Sequence, residues 1–273
     1  MRYRGRLAPS PTGLLHLGHA RTFWTAYRRA VERGGTLVLR NEDLDPYRSR
    51  GEYLTAMIED LRWLGIEWQE GPDVNGPYAP YSQSERRGFY LDAWKKLCEL
   101  KVIYPCACSR KDLSHAPQAP HGDDDEPLYP GTCRARACTA DAPAGMNWRF
   151  RVPDGEIIRF HDLCQGEQQF VAGRDFGDFI VWRRDDVPAY QLAVIVDDHA
   201  MRISEVVRGL DLLRSTARQI LLARALGLVP PAYYHCPLVT DVHGVRLAKR
   251  HDALSLRALR NAGTSPELLR GQW

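Results

Sequence analysis

No run of apolar residues in this 273-residue chain approaches the roughly 20 that span a bilayer, which excludes a helical membrane anchor. No apolar stretch follows Arg2, Arg4 and Arg6, only Pro, Ser and Gly, so the amino terminus lacks the layout of a secretory signal. Strong charge bias is missing too. Lys and Arg number 37 against 34 Asp and Glu, leaving +3, so any RNA contact must come from a local patch rather than a global field. Nor is the cysteine count even. Seven are present, and Cys106-Ala107-Cys108 stand too close together for an ordinary structural disulfide. Reduced thiols or a bound metal are therefore expected, with the cytoplasm as compartment.

Periodicity gives the first positive signal. Ala20, Phe23, Trp24, Tyr27 and Val31 recur at helical spacing over 17–33, and Gly34-Gly35 follow where a helix would end. Tyr3 to Ala8 and Thr36 to Arg40 have strand character, so the chain opens as strand, helix, strand, the unit of right-handed parallel sheets. Helices are predicted over 52–64, after Ser82, where Ser82 and Glu85 make a capping-box pattern, and over 210–226. Strands are predicted at 147–152, 156–160, 178–183, 193–196 and 203–207. Between 109 and 145 periodicity fails, and the Pro- and Asp-rich stretch there reads as a turn-rich excursion within an insert. One α/β body interrupted by one insert is expected.

Two motifs carry chemistry. Arg6-Leu7-Ala8-Pro9-Ser10-Pro11-Thr12-Gly13 runs into His16-Leu17-Gly18-His19, and Arg246-Leu247-Ala248-Lys249-Arg250 comes near the far end. Two imidazoles three apart at a helix start, with a glycine that permits close approach, suit a phosphate. Helix amides, ring N–H groups and a mobile lysine would stabilise charge moving onto its oxygens. Alone, the four-residue motif also fits a solvated histidine pair or half of a metal site; the tight loop upstream and the distant Lys249 favour nucleotide handling. Arg208-Gly209-Leu210-Asp211-Leu212 falls at a strand end opening a helix, where α/β folds bind ligands.

Together these motifs resemble class I aminoacyl-tRNA synthetases of the glutamyl type, over nearly the whole chain. Those enzymes carry His-(Ile/Leu)-Gly-His early and Lys-Met-Ser-Lys-Ser late, and Ala8 to Gly13 is similar to bacterial glutamyl enzymes rather than glutaminyl ones. The resemblance implies an α/β fold with a Rossmann-like parallel sheet, helices on both faces, a zinc-containing insert and a short C-terminal helical segment. It assigns 1–100 and 191–245 to the two halves of the catalytic core and 101–190 to an insert with the zinc site and an acceptor-type subdomain. Residues 246–273 become the ATP-binding lysine loop and a short helical tail, without an anticodon-binding domain.

It further implies that Arg6, Leu7, Ala8, Pro9, Ser10, Glu42, Tyr190 and Arg208 bind glutamate, the arginines addressing carboxylate and Glu42 the ammonium. His16, Gly18, His19 and Lys249 would bind ATP with Mg2+, with His16, His19 and Lys249 catalytic. Asp197-Asp198-His199 matches the family's acidic turn and is read as structural or ribose-side support. Arg246, Ala248 and Arg250 depart from the late-loop pattern while Lys249 keeps it, which bears on loop dynamics or rate rather than on reaction type.

Cys106, Cys108 and Cys133 offer three thiolates in a region short of periodicity, which a tetrahedral zinc would staple. Cys138 is a candidate fourth ligand on geometric grounds. Tyr129 is preferred by resemblance to small glutamyl-synthetase-like proteins whose zinc ligands read Cys-X-Cys and then Tyr-X-X-X-Cys. Cys98, Cys164 and Cys236 sit in apolar or strand-like contexts and are read as free thiols.

Only 23 residues follow Arg250, room for one or two short helices around Leu254, Leu256, Leu259 and Leu268. Full glutamyl enzymes have a large helical domain there, so the chain is similar to their truncated paralogues, the glutamyl-queuosine tRNA(Asp) synthetases. This implies ATP, L-glutamate and queuosine-containing tRNA(Asp) as partners, with glutamate placed on the anticodon-loop base, and neither a membrane nor an obligate protein partner. Three other readings stay open: a glutamyl-tRNA synthetase fragment charging the acceptor end, another nucleotidyltransferase, and a non-catalytic zinc-dependent RNA-binding module.

Overall fold

The computed structural model of the chain describes residues 2–108, 128–138, 141–238 and 255–273. Its strands are β1 (Arg4–Leu7), β2 (Thr36–Leu39), β3 (Ile103–Cys106), β4 (Asn147–Phe150), β5 (Ile157–Asp162), β6 (Gly166–Val171), β7 (Phe179–Trp182), β8 (Glu205–Gly209) and β9 (Ala232–Cys236). Its helices are α1 (Leu17–Glu32), α2 (Gly51–Trp63), α3 (Arg87–Glu99), α4 (Tyr190–Ala200), α5 (Leu213–Leu226), α6 (Leu256–Asn261) and α7 (Pro266–Arg270). They fall into two units: Met1–Arg86 with Met201–Leu210 and Pro231–Trp273, and Arg87–Ala200 with Asp211–Pro230.

The first unit is a parallel α/β layer. β1 pairs in parallel with β2, from Arg4 opposite Thr36 to Leu7 opposite Leu39, and β8 with β9, from Glu205 opposite Ala232 to Gly209 opposite Cys236. β1 also runs beside β8 in the same direction: the Ser204 N–H donates to the Arg4 carbonyl at 2.9 Å, and further along Arg6 Nη1 donates to the Val207 carbonyl at 2.8 Å. The alternating small and large apolar residues of α1 explain why it crosses back here, since Ala20, Phe23, Ala26 and Ala30 form its buried stripe. That stripe meets Leu7, Leu37, Leu39, Leu61, Ile66 and Val207 in one core, where each fully buried side chain contributes about 1.5–3 kcal/mol. The turn into β2 needs Gly35, because a Cβ there would lie 2.7 Å from the Tyr3 carbonyl oxygen. α6 and α7 begin at Ser255 and Ser265, whose side chains accept from helix amides.

The second unit carries the antiparallel sheet β3-β4-β7, the β5–β6 hairpin and helices α3, α4 and α5. Trp94 of α3 meets Trp148 of β4 edge to face at 5.0 Å between ring centres, and both are buried.

Three expectations are corrected. Residues 193–196, predicted as a strand, lie inside α4; Leu192 to Asp198 are all buried, so the helix shows no polar face from which to read its period. For the same reason Asp197-Asp198-His199 is not a turn but the last turns of that helix. Ser82 makes no capping hydrogen bond and instead accepts from the Asn41 amide at 3.1 Å. The predicted excursion lies largely in 109–127 and 139–140, outside the described residues.

Candidate active site and metal centre

The His-Leu-Gly-His motif forms the start of α1. His16 is the N-cap, accepting from the Gly18 N–H through Nδ1 at 3.1 Å, while His19 Nδ1 accepts from the His16 N–H at 3.4 Å. The two rings stack at 3.8 Å. Because both Nδ1 lone pairs are engaged as acceptors, each neutral ring carries its proton on Nε2 and presents a donor there. A Cβ on Gly18 would come within 3.0 Å of the His16 ring, so glycine is what lets the ring lie over the helix start. No acidic residue occupies the first turn, leaving the positive end of the helix dipole open to an anion.

The candidate glutamate residues of the first unit gather at the carboxyl ends of its parallel strands. Arg6 is buried on β1 and tied to the Val207 carbonyl, next in sequence to Arg208. Arg208, buried on β8, donates from Nε to Nε2 of His235 at 3.1 Å; the two residues are register partners across β8 and β9. Glu42 lies just past β2. Its N–H donates to the Pro9 carbonyl at 3.0 Å, and the buried Arg40 guanidinium donates to its Oε1 at 2.9 Å. That pair fixes the position of the Glu42 side chain.

Leu7 is a core side chain whose carbonyl accepts from the Arg40 N–H at 2.8 Å, so only its backbone belongs to this edge; Pro9 is buried and Ser10 exposed. Tyr190 is the first residue of α4 and belongs to the second unit. Lys249, with Arg246 and Arg250, lies outside the described residues. Arg40 was legible in principle as a cation two residues from Glu42 in the chain that runs on from β2. His235 was not, since only the β8–β9 register sets it opposite Arg208.

In the second unit Cys106, Cys108 and Cys133 bring their sulfurs within 4.8 Å of one another. The Cys108 and Cys133 sulfurs are 3.8 Å apart, and the Tyr129 hydroxyl oxygen is 3.4 Å from both Cys106 and Cys108 Sγ. Tetrahedral zinc with Zn–S near 2.3 Å and Zn–O near 2.0 Å asks for edges of about 3.8 and 3.5 Å, so the donor set fits that ion. Burial raises the Tyr129 and Cys108 protonation equilibria. Burial pushes the Cys133 thiol up as well, but hydrogen bonds from the Tyr129 hydroxyl and the Ala107 backbone outweigh it and bring it down to about 7. Cys138 is corrected: it forms a disulfide with Cys98, with Cα atoms 5.6 Å apart, and cannot be the fourth ligand. Cys98 is therefore not a free thiol either; its partner lies 40 residues away, a proximity that spacing cannot reveal.

Residues 2–271 match the family model for tRNA synthetases class I (E and Q), catalytic domain. A glutamyl-Q tRNA(Asp) synthetase of Symbiobacterium thermophilum is 52% identical over 98% of this chain and 84% of its own length, and one of Nitratidesulfovibrio vulgaris is 50% identical over 95% and 82%. A glutamate tRNA ligase from Elizabethkingia meningosepticum, solved in complex with its amino acid, superposes with a TM-score of 0.79 at 32% identity, covering 93% of this chain but 53% of that one. The chain belongs to the class I tRNA synthetases of the E and Q type, and its fold is their catalytic domain. Within that family it falls with the glutamyl-Q tRNA(Asp) synthetases. Among the described residues no helix is long and apolar enough to cross a membrane.

Proposed function

We propose that this protein is a ligase that activates L-glutamate with ATP as glutamyl-adenylate and transfers the glutamyl group to the queuosine base in the anticodon loop of tRNA(Asp). The observation that carries the reading is that buried Arg6, Glu42 and Arg208 sit on or just past the parallel strands of the unit whose first helix starts at the histidine cap, with the Glu42 N–H bonded to Pro9 of the loop leading into it. In the first step a glutamate carboxylate oxygen attacks the α-phosphorus of ATP and pyrophosphate leaves. His16 and His19 Nε2–H donors, the α1 amides and Lys249 stabilise the charge on the phosphate oxygens, and Mg2+ accompanies the triphosphate. Arg6 and Arg208 take carboxylate and Glu42 takes the ammonium, with Tyr190 the further residue that the family resemblance assigns to glutamate.

In the second step a hydroxyl of the cyclopentenediol ring attacks the mixed anhydride, an ester forms and AMP departs. The adenylate is already a good leaving group, so positioning supplies most of the acceleration. The reading assigns the enzyme to the cytoplasm with its tRNA.

Zn2+ held by Cys106, Cys108, Cys133 and Tyr129 would staple the insert as a structural ion. It is supported by the gathering of the three sulfurs within 4.8 Å and by three donor separations of 3.4, 3.4 and 3.8 Å, close to the edges of a zinc tetrahedron. Glutamate-dependent exchange of labelled pyrophosphate into ATP tests the first step: exchange with glutamate is expected, and none with any amino acid would remove the synthetase reading in favour of a binding module.

A further inference from the structure

We infer that Arg149 is a positioning residue of the metal centre, holding the Cys106 sulfur by an N–H···S hydrogen bond and supplying the counter-charge of a buried zinc–thiolate group. The inference rests on the zinc reading given above. The β3–β4 register sets Tyr104 opposite Arg149 and Cys106 opposite Asn147, so Tyr104, Cys106 and Arg149 project from one face of the sheet. Arg149 is 3% exposed. Its Nε donates to Cys106 Sγ at 3.4 Å, its Nη1 donates to the Asp178 carbonyl at 2.8 Å, and its guanidinium carbon lies 4.0 Å over the Tyr129 ring. One side chain thus touches two of the four candidate ligands and is locked by a third contact.

The charge balance explains why a cation belongs there. Three thiolates and a phenolate around one divalent ion leave a net charge of about −2, and a buried charge is costly unless paired and hydrogen-bonded. Of the nearby guanidiniums, Arg136 is exposed, and Arg134 is committed to Asp154 and Asp178. Among the described residues Arg149 is the arginine bonded to a ligand sulfur. Arginine suits the place better than lysine: its planar fork can bond sulfur with one edge and a carbonyl with the other while stacking on an aromatic ring. Outer-shell partners of this kind typically change metal affinity by about 10–100-fold when removed.

The test is zinc affinity of the full chain, measured by chelator competition and by the charge-transfer band of the cobalt-substituted protein. Arg149→Gln keeps a donor but loses the charge, and Arg149→Lys keeps the charge. Wild type should bind one zinc, with affinity falling at least about tenfold in Arg149→Gln and less in Arg149→Lys. Equal affinity in wild type and a folded Arg149→Gln would overturn the role of Arg149 while leaving the zinc site intact. A folded wild type that binds no zinc would instead overturn the metal reading itself. If Arg149→Gln does not fold, Arg149→Lys decides: a loss below tenfold supports the charge role, and a larger loss contradicts it.

Discussion

Leu256 donates its backbone N–H to the Leu15 carbonyl at 2.8 Å, and the adjoining Ser255 bridges His16. The segment that starts at Ser255 is thereby fastened to the residue that precedes the first imidazole. Leu256 is fully buried in the same core as Leu15. Leu256→Ala should lower the unfolding free energy by about 2–5 kcal/mol, read by denaturant titration. Lys249→Ala should slow adenylate formation by about 100-fold or more with little change in glutamate affinity; an unchanged exchange rate would remove Lys249 from the chemistry.

The Arg208–His235 contact fixes a guanidinium by giving its Nε an acceptor. Replacing that acceptor should loosen substrate capture more than chemistry. In His235→Leu the KM for glutamate should rise about tenfold while kcat changes less than about threefold. His235→Gln, which can again accept, should restore most of the loss. Equal effects on kcat and KM in both variants would show His235 to be packing alone.

Glu42 and Arg40 form a buried pair at 2.9 Å. Glu42→Gln should weaken glutamate binding through loss of the ammonium partner and also lower the stability of the fold, because the buried pair with Arg40 loses one of its charges. Arg40→Met with Glu42→Leu should recover stability but not binding. Thermal melts and glutamate KM, measured on the same variants, separate the two effects.

The first unit was legible in the sequence wherever periodicity and punctuation agreed: α1 between its strands, α2, and the strand-end position of Arg208. α4 was misread because a helix buried around its whole circumference and rich in Val and Ile carries a strand signature. The Cys-X-Cys and Tyr-X-X-X-Cys spacings pointed to four atoms that do converge. The Cys98–Cys138 disulfide, the Arg149–Cys106 bond and the Arg208–His235 bond depend on tertiary register, which no local pattern encodes.

Acid should weaken the first unit through two carboxylates. Burial pushes Glu70 and Glu205 up, but Arg4 and Tyr81 around the one, and Arg29 and Tyr3 around the other, outweigh it and hold both below the ordinary 4.5. Groups depressed in the folded state contribute stability above the unfolded value, and that contribution is lost as pH falls from about 4.5 through the folded values. Denaturant midpoints should therefore drop steeply below about pH 4.5, and Glu70→Gln with Glu205→Gln should lower stability at pH 7 while flattening that drop.

The acceptor is decided by one measurement. The purified protein, ATP and labelled glutamate are incubated separately with queuosine-containing tRNA(Asp) and with tRNA(Glu), and the position of the label is mapped by nuclease digestion. Label on the anticodon-loop base of tRNA(Asp), and none on tRNA(Glu), is the expected result. Label on the 3′ end of tRNA(Glu), with tRNA(Asp) unmodified, would contradict the proposed function and make the chain an acceptor-end glutamyl-tRNA synthetase.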